Sequence, residues 1–324
     1  MMRVLITGIA GFAGSYLAES LLADGATVAG IDLPTARTDN LAAVIDHVIL
    51  HRVAAGDGES FAAAVSDSRP EWIFHLAGMS DVGKSWEDRE RTLHANLFGA
   101  ITLLESVRRC GFRPTIVVAG SGEEYGLVPR DRQPITETEH LQPRSPYAVS
   151  KACQELLCHQ YALADGLDIK LLRLFNHIGP RQRPSFVTAD FARQVARIER
   201  GLAAPVIKVG NLKAIRDFMH VKDMARAYQL AAAHCRTATP YNVSSGAGHS
   251  IENLLTKLLE KATLHIDIEV EQSRFRPIDI ECLVGANTAF CEATGWSPAT
   301  DIDGTLEEIL NYWRKAVTNE PEVT

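Results

Sequence analysis

The 324-residue chain lacks a long hydrophobic run, a cysteine framework and an excess of positive charge. No uncharged apolar stretch approaches the roughly 18 residues that a membrane helix needs, so we expect no membrane partner. A formal net charge of −7 disfavours nucleic acid as a partner. The six cysteines form no C-x-x-C pair and predict no disulfide framework in so long a chain, which favours a cytoplasmic location. No metal site is predicted.

The order of the remaining patterns predicts an α/β fold. Short β-branched runs alternate with amphipathic helical patterns through the first half of the chain. Strands are predicted at residues 3–7, 27–32, 47–50, 72–77, 115–121 and 168–175, and helices at residues 15–23, 89–109 and 146–164. This alternation favours a doubly wound parallel sheet of the Rossmann type, which binds ligands at the carboxyl ends of its strands.

After residue 175 strand and helix patterns no longer alternate regularly. Helices are predicted near residues 189–200, 223–234, 251–261 and 306–315, and strands near 206–209 and 241–245. Because 324 residues exceed one typical hydrophobic core, we expect two lobes with a cleft between them. The predicted division is a Rossmann domain of residues 1–175 plus about 220–247, and a smaller, mostly α substrate-binding lobe of about 176–219 plus 248–324.

Three glycines between the first predicted strand and helix indicate a dinucleotide site. Gly8, Gly11 and Gly14 have the spacing G-x-x-G-x-x-G. A tight turn, close approach to a pyrophosphate and close packing of helix on strand each exclude a Cβ atom, and a helix N-terminus favours negative charge. Asp32, at the end of the second strand, could accept hydrogen bonds from ribose hydroxyls and favours NAD(H) over NADP(H). Arg37 could instead neutralise a 2′-phosphate, and Asp32 could merely cap a turn.

A second group of residues predicts carbonyl chemistry. Tyr147 and Lys151 are four residues apart on one face of a predicted helix. An ammonium beside a tyrosine lowers the cost of the phenolate, so the tyrosine can exchange a proton near neutral pH although its free pKa is about 10. Ser121, at the end of the fifth strand, places a hydroxyl over the same edge of the sheet.

These motifs together resemble the extended short-chain dehydrogenases/reductases. The resemblance includes H-L-A-G at residues 75–78 and N-x-x-G at 96–99, and spans nearly the whole chain. It implies that Tyr147 is the acid/base, that Lys151 assists it and holds the nicotinamide ribose, and that Ser121 bonds the carbonyl. The implied cofactor contacts are Gly8, Gly11, Phe12, Ala13, Gly14, Asp32, Leu76, Ala77, Asn96, Tyr147 and Lys151. Arg89–Arg109 and Pro146–Ala164 resemble the helix pair that builds a four-helix dimer interface in these enzymes, which implies a homodimer.

Motifs in the second half resemble the GDP-mannose branch of these enzymes. They are N-H-I-G-P at residues 176–180, F-V-T-x-D-F-A at 186–192, R-D-F at 216–218 and R-P at 276–277. They are closer to the reductases of GDP-4-keto-6-deoxy-D-mannose than to the 4,6-dehydratases, which implies reduction at C4 to GDP-D-rhamnose. The implied substrate contacts are Ser80, Glu123, Asn176, Val187, Lys208, Arg216 and Arg276. Arginine offers a planar fork for pyrophosphate oxygens.

Glu123 keeps a second reaction open. It follows Ser121 by two residues, where the resemblance places the elimination base of sugar-nucleotide 4,6-dehydratases. Dehydration needs a base for the C5 proton in addition to the tyrosine. Glu123 could equally hydrogen-bond in the pocket wall or to a sugar hydroxyl. Dehydration of GDP-mannose, alone or with reduction, is therefore the alternative, and a non-catalytic nucleotide-sugar sensor is a remote one.

Overall fold

The computed structural model describes residues 1–319, which contain a parallel seven-stranded sheet in the spatial order β10-β6-β5-β4-β1-β2-β3. The sheet strands are β1 (Arg3–Thr7), β2 (Thr27–Asp32), β3 (Val48–Arg52), β4 (Trp72–His75), β5 (Thr115–Ala119), β6 (Asp168–Leu174) and β10 (Pro240–Val243). Strands β1 to β3 and β4 to β6 run outward in opposite directions from the sheet centre, and such a reversal is where doubly wound sheets bind ligands. The predicted Rossmann-type α/β fold is confirmed.

Helices cover both faces of this sheet. The helices of the main domain and the second lobe are α1 (Phe12–Ala23), α2 (Gly58–Ser68), α3 (Val82–Ser85), α4 (Arg89–Leu93), α5 (Gly99–Arg109), α6 (Pro146–Asp165), α7 (Val187–Glu199), α8 (Val221–His234), α9 (Ile251–Leu259), α10 (Thr288–Thr294) and α11 (Ile302–Ala316). Leu17 of α1 and Tyr228 of α8 lie in the core on one face, and Leu104 of α5 and Cys158 of α6 lie in the core on the other. The helix predicted at 89–109 contains a π-helical turn, His94–Phe98, between α4 and α5. Within residues 1–319, no helix combines the length and apolar character that a membrane span requires.

A third core joins α7, α9 and α11, through residues such as Val195, Leu255 and Ile309. The short strands here are β7 (Asn176–Ile178), β8 (Val206–Val209), β9 (Ile215–His220), β11 (Gly248–Ser250), β12 (Asp267–Val270) and β13 (Cys282–Leu283). Strand β9 pairs with β7, β11 and β13, and β8 pairs with β12. The predicted division of the chain puts α10 in this second lobe, whereas Phe290 of α10 and the following Trp296 pack in the core of α1 and α8.

Candidate active site

The glycine loop forms a cradle that only glycine permits. Gly8 has a φ of +74°, and its N–H donates to Ile31 O at 2.8 Å. A Cβ atom on Gly14 would lie 2.4 Å from Gly8 O, and one on Gly8 would lie 2.9 Å from Ala77 Cα. Gly11 begins α1 without a side-chain cap, so the first N–H groups of the helix remain available to an anion. The cradle therefore fits the pyrophosphate of a dinucleotide.

Neighbouring residues predicted to contact a cofactor lie around this cradle. Leu76 and Ala77 follow β4, and their N–H groups donate to the backbone oxygen and the hydroxyl of Thr7, respectively. Phe12 and Ala13 open α1. The Phe12 ring stacks on His177 of β7 with a centroid distance of 5.9 Å, so this side chain links the loop to the second lobe. A cofactor at this edge would meet the backbone of Phe12 rather than its ring.

Asp32 is held by the backbone of two loops. Its carboxylate accepts hydrogen bonds from the N–H groups of Ala10 and Leu33, both at 2.9 Å. Arg37, the residue that could neutralise a 2′-phosphate, pairs with Asp39 at 2.7 Å on the exposed surface. Asp32 thus stabilises the glycine loop, a role that the sequence did not predict. It lies at the end of β2, as predicted.

Ser121 and Tyr147 meet at the carboxyl edge of the sheet. Ser121 follows β5 in extended conformation, and Tyr147 lies in the first turn of α6, where Ser145 caps the helix and Pro146 occupies its first position. Burial raises the pKa of Tyr147 above its ordinary value, and the adjacent Ser121 side chain acts in the opposite direction. When ionised, the nearby carboxyl groups of Glu124 and Glu123 raise it further. The phenol is therefore a proton donor at neutral pH.

Lys151 lies one turn along α6, and its two hydrogen bonds go to acceptors other than the phenol. Its Nζ atom donates to Ala119 O at 2.7 Å and to Gln154 Oε1 at 3.0 Å. Burial lowers the pKa of Lys151 to about 8. The sequence predicted an ammonium that stabilises the phenolate directly; here the desolvated ammonium instead takes the two nearest carbonyl acceptors. The spacing of Tyr147 and Lys151 in the sequence could not have revealed these two acceptors.

Asn96 secures the segment after β4 to the helix that carries Tyr147. From the π-helical turn, its side chain accepts from Met79 N–H at 2.8 Å and donates to Met79 O at 3.1 Å and Ser150 Oγ at 2.7 Å. A Cβ atom on Gly78 would lie 2.4 Å from Asn96 Oδ1 and 3.9 Å from Lys151 Nζ. Ser80, predicted to contact substrate, is exposed just beyond this segment.

The loop after Ser121 contains two glutamates with different surroundings. Glu123 is partly exposed, and its N–H donates to Ser121 Oγ at 3.2 Å. Glu124 is fully buried, and its Oε1 accepts from Ser121 N–H at 2.6 Å. Glu124 was not among the residues predicted for the site. The capping-box pattern S-x-x-E at residues 121–124 could have identified it.

The residues predicted to bind the nucleotide lie on β7, α7, β8, β9 and the segment before β13. Asn176 donates to Asp217 O at 3.1 Å, and Val187 is the first residue of α7. Lys208 pairs with Glu271 at 2.7 Å and the buried Arg216 with Asp279 at 2.9 Å; Arg276 is exposed. The acidic partners Glu271 and Asp279 were missed, because each lies more than 60 residues from its cation.

No group of three or more His, Cys, Asp or Glu side chains in the part of the chain that the structure describes is arranged to hold a metal ion.

Comparison with known proteins identifies the family. A family model described as GDP-mannose 4,6 dehydratase matches residues 5–309. The chain belongs to this family. The GDP-6-deoxy-D-mannose reductase of Pseudomonas aeruginosa is 34% identical over 318 residues, which cover 98% of this chain and 99% of the relative. The predicted membership of the extended short-chain dehydrogenases/reductases, and the assignment as an enzyme, are confirmed.

Solved structures of similar proteins share the fold over almost their full length. RMD from Pseudomonas aeruginosa, complexed with NADPH, has a TM-score of 0.84 and 33% identity, covering 98% of this chain and 100% of that chain. The UDP-glucose 4-epimerase of Thermus thermophilus, complexed with NAD, has a TM-score of 0.87 and 34% identity, with 98% and 100% coverage. Reductases and epimerases thus share this family's scaffold, so the choice of reaction depends on the site residues.

Proposed function

We propose that this chain reduces the C4 ketone of GDP-4-keto-6-deoxy-D-mannose with a nicotinamide cofactor and yields GDP-D-rhamnose. The observation that carries the proposal is the buried pairing of Ser121 with Tyr147 at the sheet edge. The glycine cradle at the same edge supplies a fitting place for the cofactor pyrophosphate. Similarity to a GDP-6-deoxy-D-mannose reductase over 98% of the chain supports the choice of substrate.

In this mechanism Tyr147 gives its phenolic proton to the substrate oxygen as the ketone becomes an alcohol. A raised pKa suits this role, because the phenol stays protonated at neutral pH. Ser121 Oγ accepts from Glu123 N–H, so its own O–H is free to donate to the same substrate oxygen. Lys151 contributes positive charge and would hold the nicotinamide ribose. When bound, the nicotinamide supplies the hydride.

The cofactor and the substrate would be held by different sets of residues. For the cofactor we propose the residues of the glycine loop and its surroundings, Gly8, Gly11, Phe12, Ala13, Gly14, Asp32, Leu76, Ala77 and Asn96. For the GDP-sugar we propose Ser80, Glu123, Asn176, Val187, Lys208, Arg216 and Arg276. Since Lys208 and Arg216 are already paired with carboxylates, pyrophosphate binding would compete with these ion pairs.

NAD(H) is the cofactor that Asp32 favours. Its carboxylate at the end of β2 would repel a 2′-phosphate and accept from ribose hydroxyls. Two neighbouring cations limit this preference: Arg37 is exposed in the next loop, and Arg52 donates to Leu33 O and Ala36 O beneath it. The Pseudomonas aeruginosa RMD structure contains NADPH, so both cofactors belong in the assay.

Dehydration of GDP-mannose is the second candidate, and Glu123 is the observation that favours it. Its partly exposed carboxyl group lies near enough to Tyr147 to influence the phenol. A base at this place could remove the C5 proton while Tyr147 acts at C4. The family model that matches residues 5–309 is itself described as a dehydratase. A non-catalytic sensor would not need the buried Ser121 and Tyr147.

The proposal is tested by incubating the protein with GDP-mannose and, separately, with its 4-keto-6-deoxy derivative, each with NADH or NADPH. We expect stoichiometric oxidation of reduced cofactor with the keto sugar only, faster with NADH, and a deoxysugar product identified by NMR. Glu123→Gln should keep kcat for this reduction within about threefold, with any loss of sugar contact appearing in KM, because a reductase needs no C5 base. Conversion of GDP-mannose without net cofactor consumption, lost in Glu123→Gln, would establish the dehydratase instead.

We also propose a homodimer built on α5 and α6, with the two-lobe division given above and a cytoplasmic location for a chain whose six cysteines are free. Val149, Leu156 and Leu163 recur every seven residues on α6, and Leu156 and Leu163 are 65% and 70% exposed. Phe98, at the start of α5, is exposed as well. Such an apolar stripe on one helical face is typical of a protein interface.

Replacing Leu156 by Arg tests the dimer. A charge placed in the centre of an apolar interface costs several kcal/mol, so we expect the monomer–dimer Kd to rise by more than about a hundredfold. Size-exclusion chromatography with light scattering measures the mass. Ile49→Arg is the matched control, because Ile49 is 55% exposed on β3 at the opposite sheet edge and should leave the dimer intact. Equal masses for the wild type and both variants would contradict the interface.

A further inference from the structure

Glu124 is a buried acid that the proposed mechanism does not use. It lies in the turn Gly122–Tyr125, has no solvent exposure, and receives the Ser121 N–H on Oε1 at 2.6 Å. A Cβ atom on Gly120 would lie 2.9 Å from the same oxygen, so the carboxyl group occupies the space that a side chain at Gly120 would need. The other oxygen, Oε2, is buried without a hydrogen-bond partner among residues 1–319.

The charged groups that face Glu124 come from two elements. Lys151, Tyr147 and Glu155 lie on α6, and Arg173 lies on β6. Arg173 is already engaged: its guanidinium bonds both carboxylate oxygens of Glu155, at 2.6 and 2.9 Å, and the Tyr125 hydroxyl at 2.8 Å. Glu124 therefore faces the Glu155 carboxylate, and no cation of residues 1–319 forms an ion pair with it. A buried ion in this position would lack the pairing that offsets its desolvation.

Gln154 is a second buried polar residue, and it contacts Lys151. Its Oε1 accepts from Lys151 Nζ at 3.0 Å, and its Nε2 is also buried without a partner in the described part of the chain. Among residues 1–319, this ammonium donates one further hydrogen bond, to Ala119 O, one residue before Gly120. The end of β5 is thus bonded by the Glu124 carboxyl at Ser121 and by the Lys151 ammonium at Ala119.

We propose, building on the function proposed above, that Glu124 is a neutral carboxylic acid and that Glu124 and Gln154 are positioning residues for the active site. Glu124 fixes the backbone of Ser121 and thereby the hydroxyl beside Tyr147. Gln154 holds the ammonium of Lys151 against β5. Neither residue touches the reacting atoms. Both act by placing groups that do, and small displacements of such groups are costly in rate.

The electrostatics of the pair agree with this assignment. Burial raises the pKa of Glu124 well above its ordinary value, and the charge of Glu155 raises it further. Burial lowers the pKa of Lys151, and a charged Glu124 would act in the opposite direction; an uncharged Glu124 supplies no such compensation. The amide oxygen of Gln154 then becomes one of the few groups that stabilise the charged form of Lys151.

Infrared spectroscopy tests the protonation state without cofactor or substrate. The C=O stretch of a protonated carboxylic acid is distinct from that of a carboxylate. We expect such a band in the whole protein at neutral pH and its loss in Glu124→Gln. Glu137→Gln is the control that should retain the band, because the Glu137 carboxylate bonds Asn242 N–H instead. If the wild type has no band that Glu124→Gln removes, Glu124 is ionised and the proposal is wrong.

Steady-state kinetics test the positioning role. An amide can still accept from Ser121 N–H, so Glu124→Gln should keep kcat within about threefold and an unchanged pH profile. Glu124→Leu cannot, and we expect kcat to fall by roughly tenfold or more while KM changes less. A loss in Glu124→Gln equal to that in Glu124→Leu, or a fully active Glu124→Leu, would overturn the proposal. If Glu124→Leu fails to fold, Glu124→Gln and the Gln154 variants decide.

A lysine NMR titration of the cofactor-free protein tests Gln154, with the Lys151 signal assigned through Lys151→Arg. Gln154→Leu removes an acceptor from the ammonium and should increase its acid dissociation constant by roughly tenfold; Gln154→Glu adds an anion and should decrease it. Unchanged titration in both variants would contradict the role of Gln154. Because the infrared and NMR readouts need no turnover, they can succeed even if the proposed substrate is wrong, and fail even if it is right.

Discussion

Replacing Tyr147 by Phe is expected to lower kcat for ketone reduction by about 10²–10⁴-fold, the usual contribution of a positioned general acid. The ring remains and fills the same buried space, so the GDP-sugar should bind with nearly unchanged affinity. The pKa of Tyr147 is raised, so the wild-type phenol stays protonated at and above neutral pH, and this loss should persist across the neutral range. Stopped-flow measurement of cofactor oxidation gives the rate, and calorimetry gives the affinity.

Tyr161→Phe is the matched control for this variant. Tyr161 lies on the same helix, and its hydroxyl donates to Oε1 of Glu105 on α5 at 2.7 Å. Removing that hydroxyl should leave kcat within about twofold, since only one partly buried hydrogen bond between α6 and α5 is lost. Retained turnover in Tyr147→Phe, or an equal loss in both variants, would show that the phenol is not the proton donor.

Replacing Gly14 by Ala is expected to weaken cofactor binding by at least about a hundredfold. The new methyl group would lie 2.4 Å from Gly8 O and 2.9 Å from Ile9 Cα, both backbone atoms that cannot rotate away. The loop must therefore shift, and a displacement of about 1 Å at a binding site can cost two orders of magnitude. Titration of cofactor fluorescence with NADH and NADPH measures the affinity, and thermal unfolding measures any accompanying loss of stability.

Gly58→Ala serves as the control for this second variant. Gly58 is the first residue of α2, and a Cβ atom there meets nothing within 4 Å. We expect unchanged cofactor affinity and equal or slightly higher stability, since alanine favours a helix over glycine. Wild-type affinity in Gly14→Ala would mean that the cofactor does not depend on the close packing of this loop.

Local patterns predicted most of the main sheet. The run Val4–Ile6 is buried, as expected where strands alternate with helices that cover both faces of the sheet, and β1 spans the predicted residues. The predicted strand at 72–77 ends at His75, because Ala77 N–H turns to the Thr7 side chain instead of a neighbouring strand. The short strands of the second lobe were mostly missed. Strand β13, for example, is two residues that exist as a strand only by pairing with β9, more than 60 residues earlier.

The sequence by itself determined the local chemistry at the sheet edge: glycines at a helix entry, a tyrosine and a lysine one turn apart, and a serine after a strand. These depend on spacings of a few residues, which helix and strand geometry translate directly into position. Only the tertiary structure decided where Lys151 directs its ammonium, that Arg216 is paired with Asp279, and that Glu124 is buried. Each of these outcomes depends on which groups are close in space and on how far they are shielded from water. Residues far apart in the chain decide both.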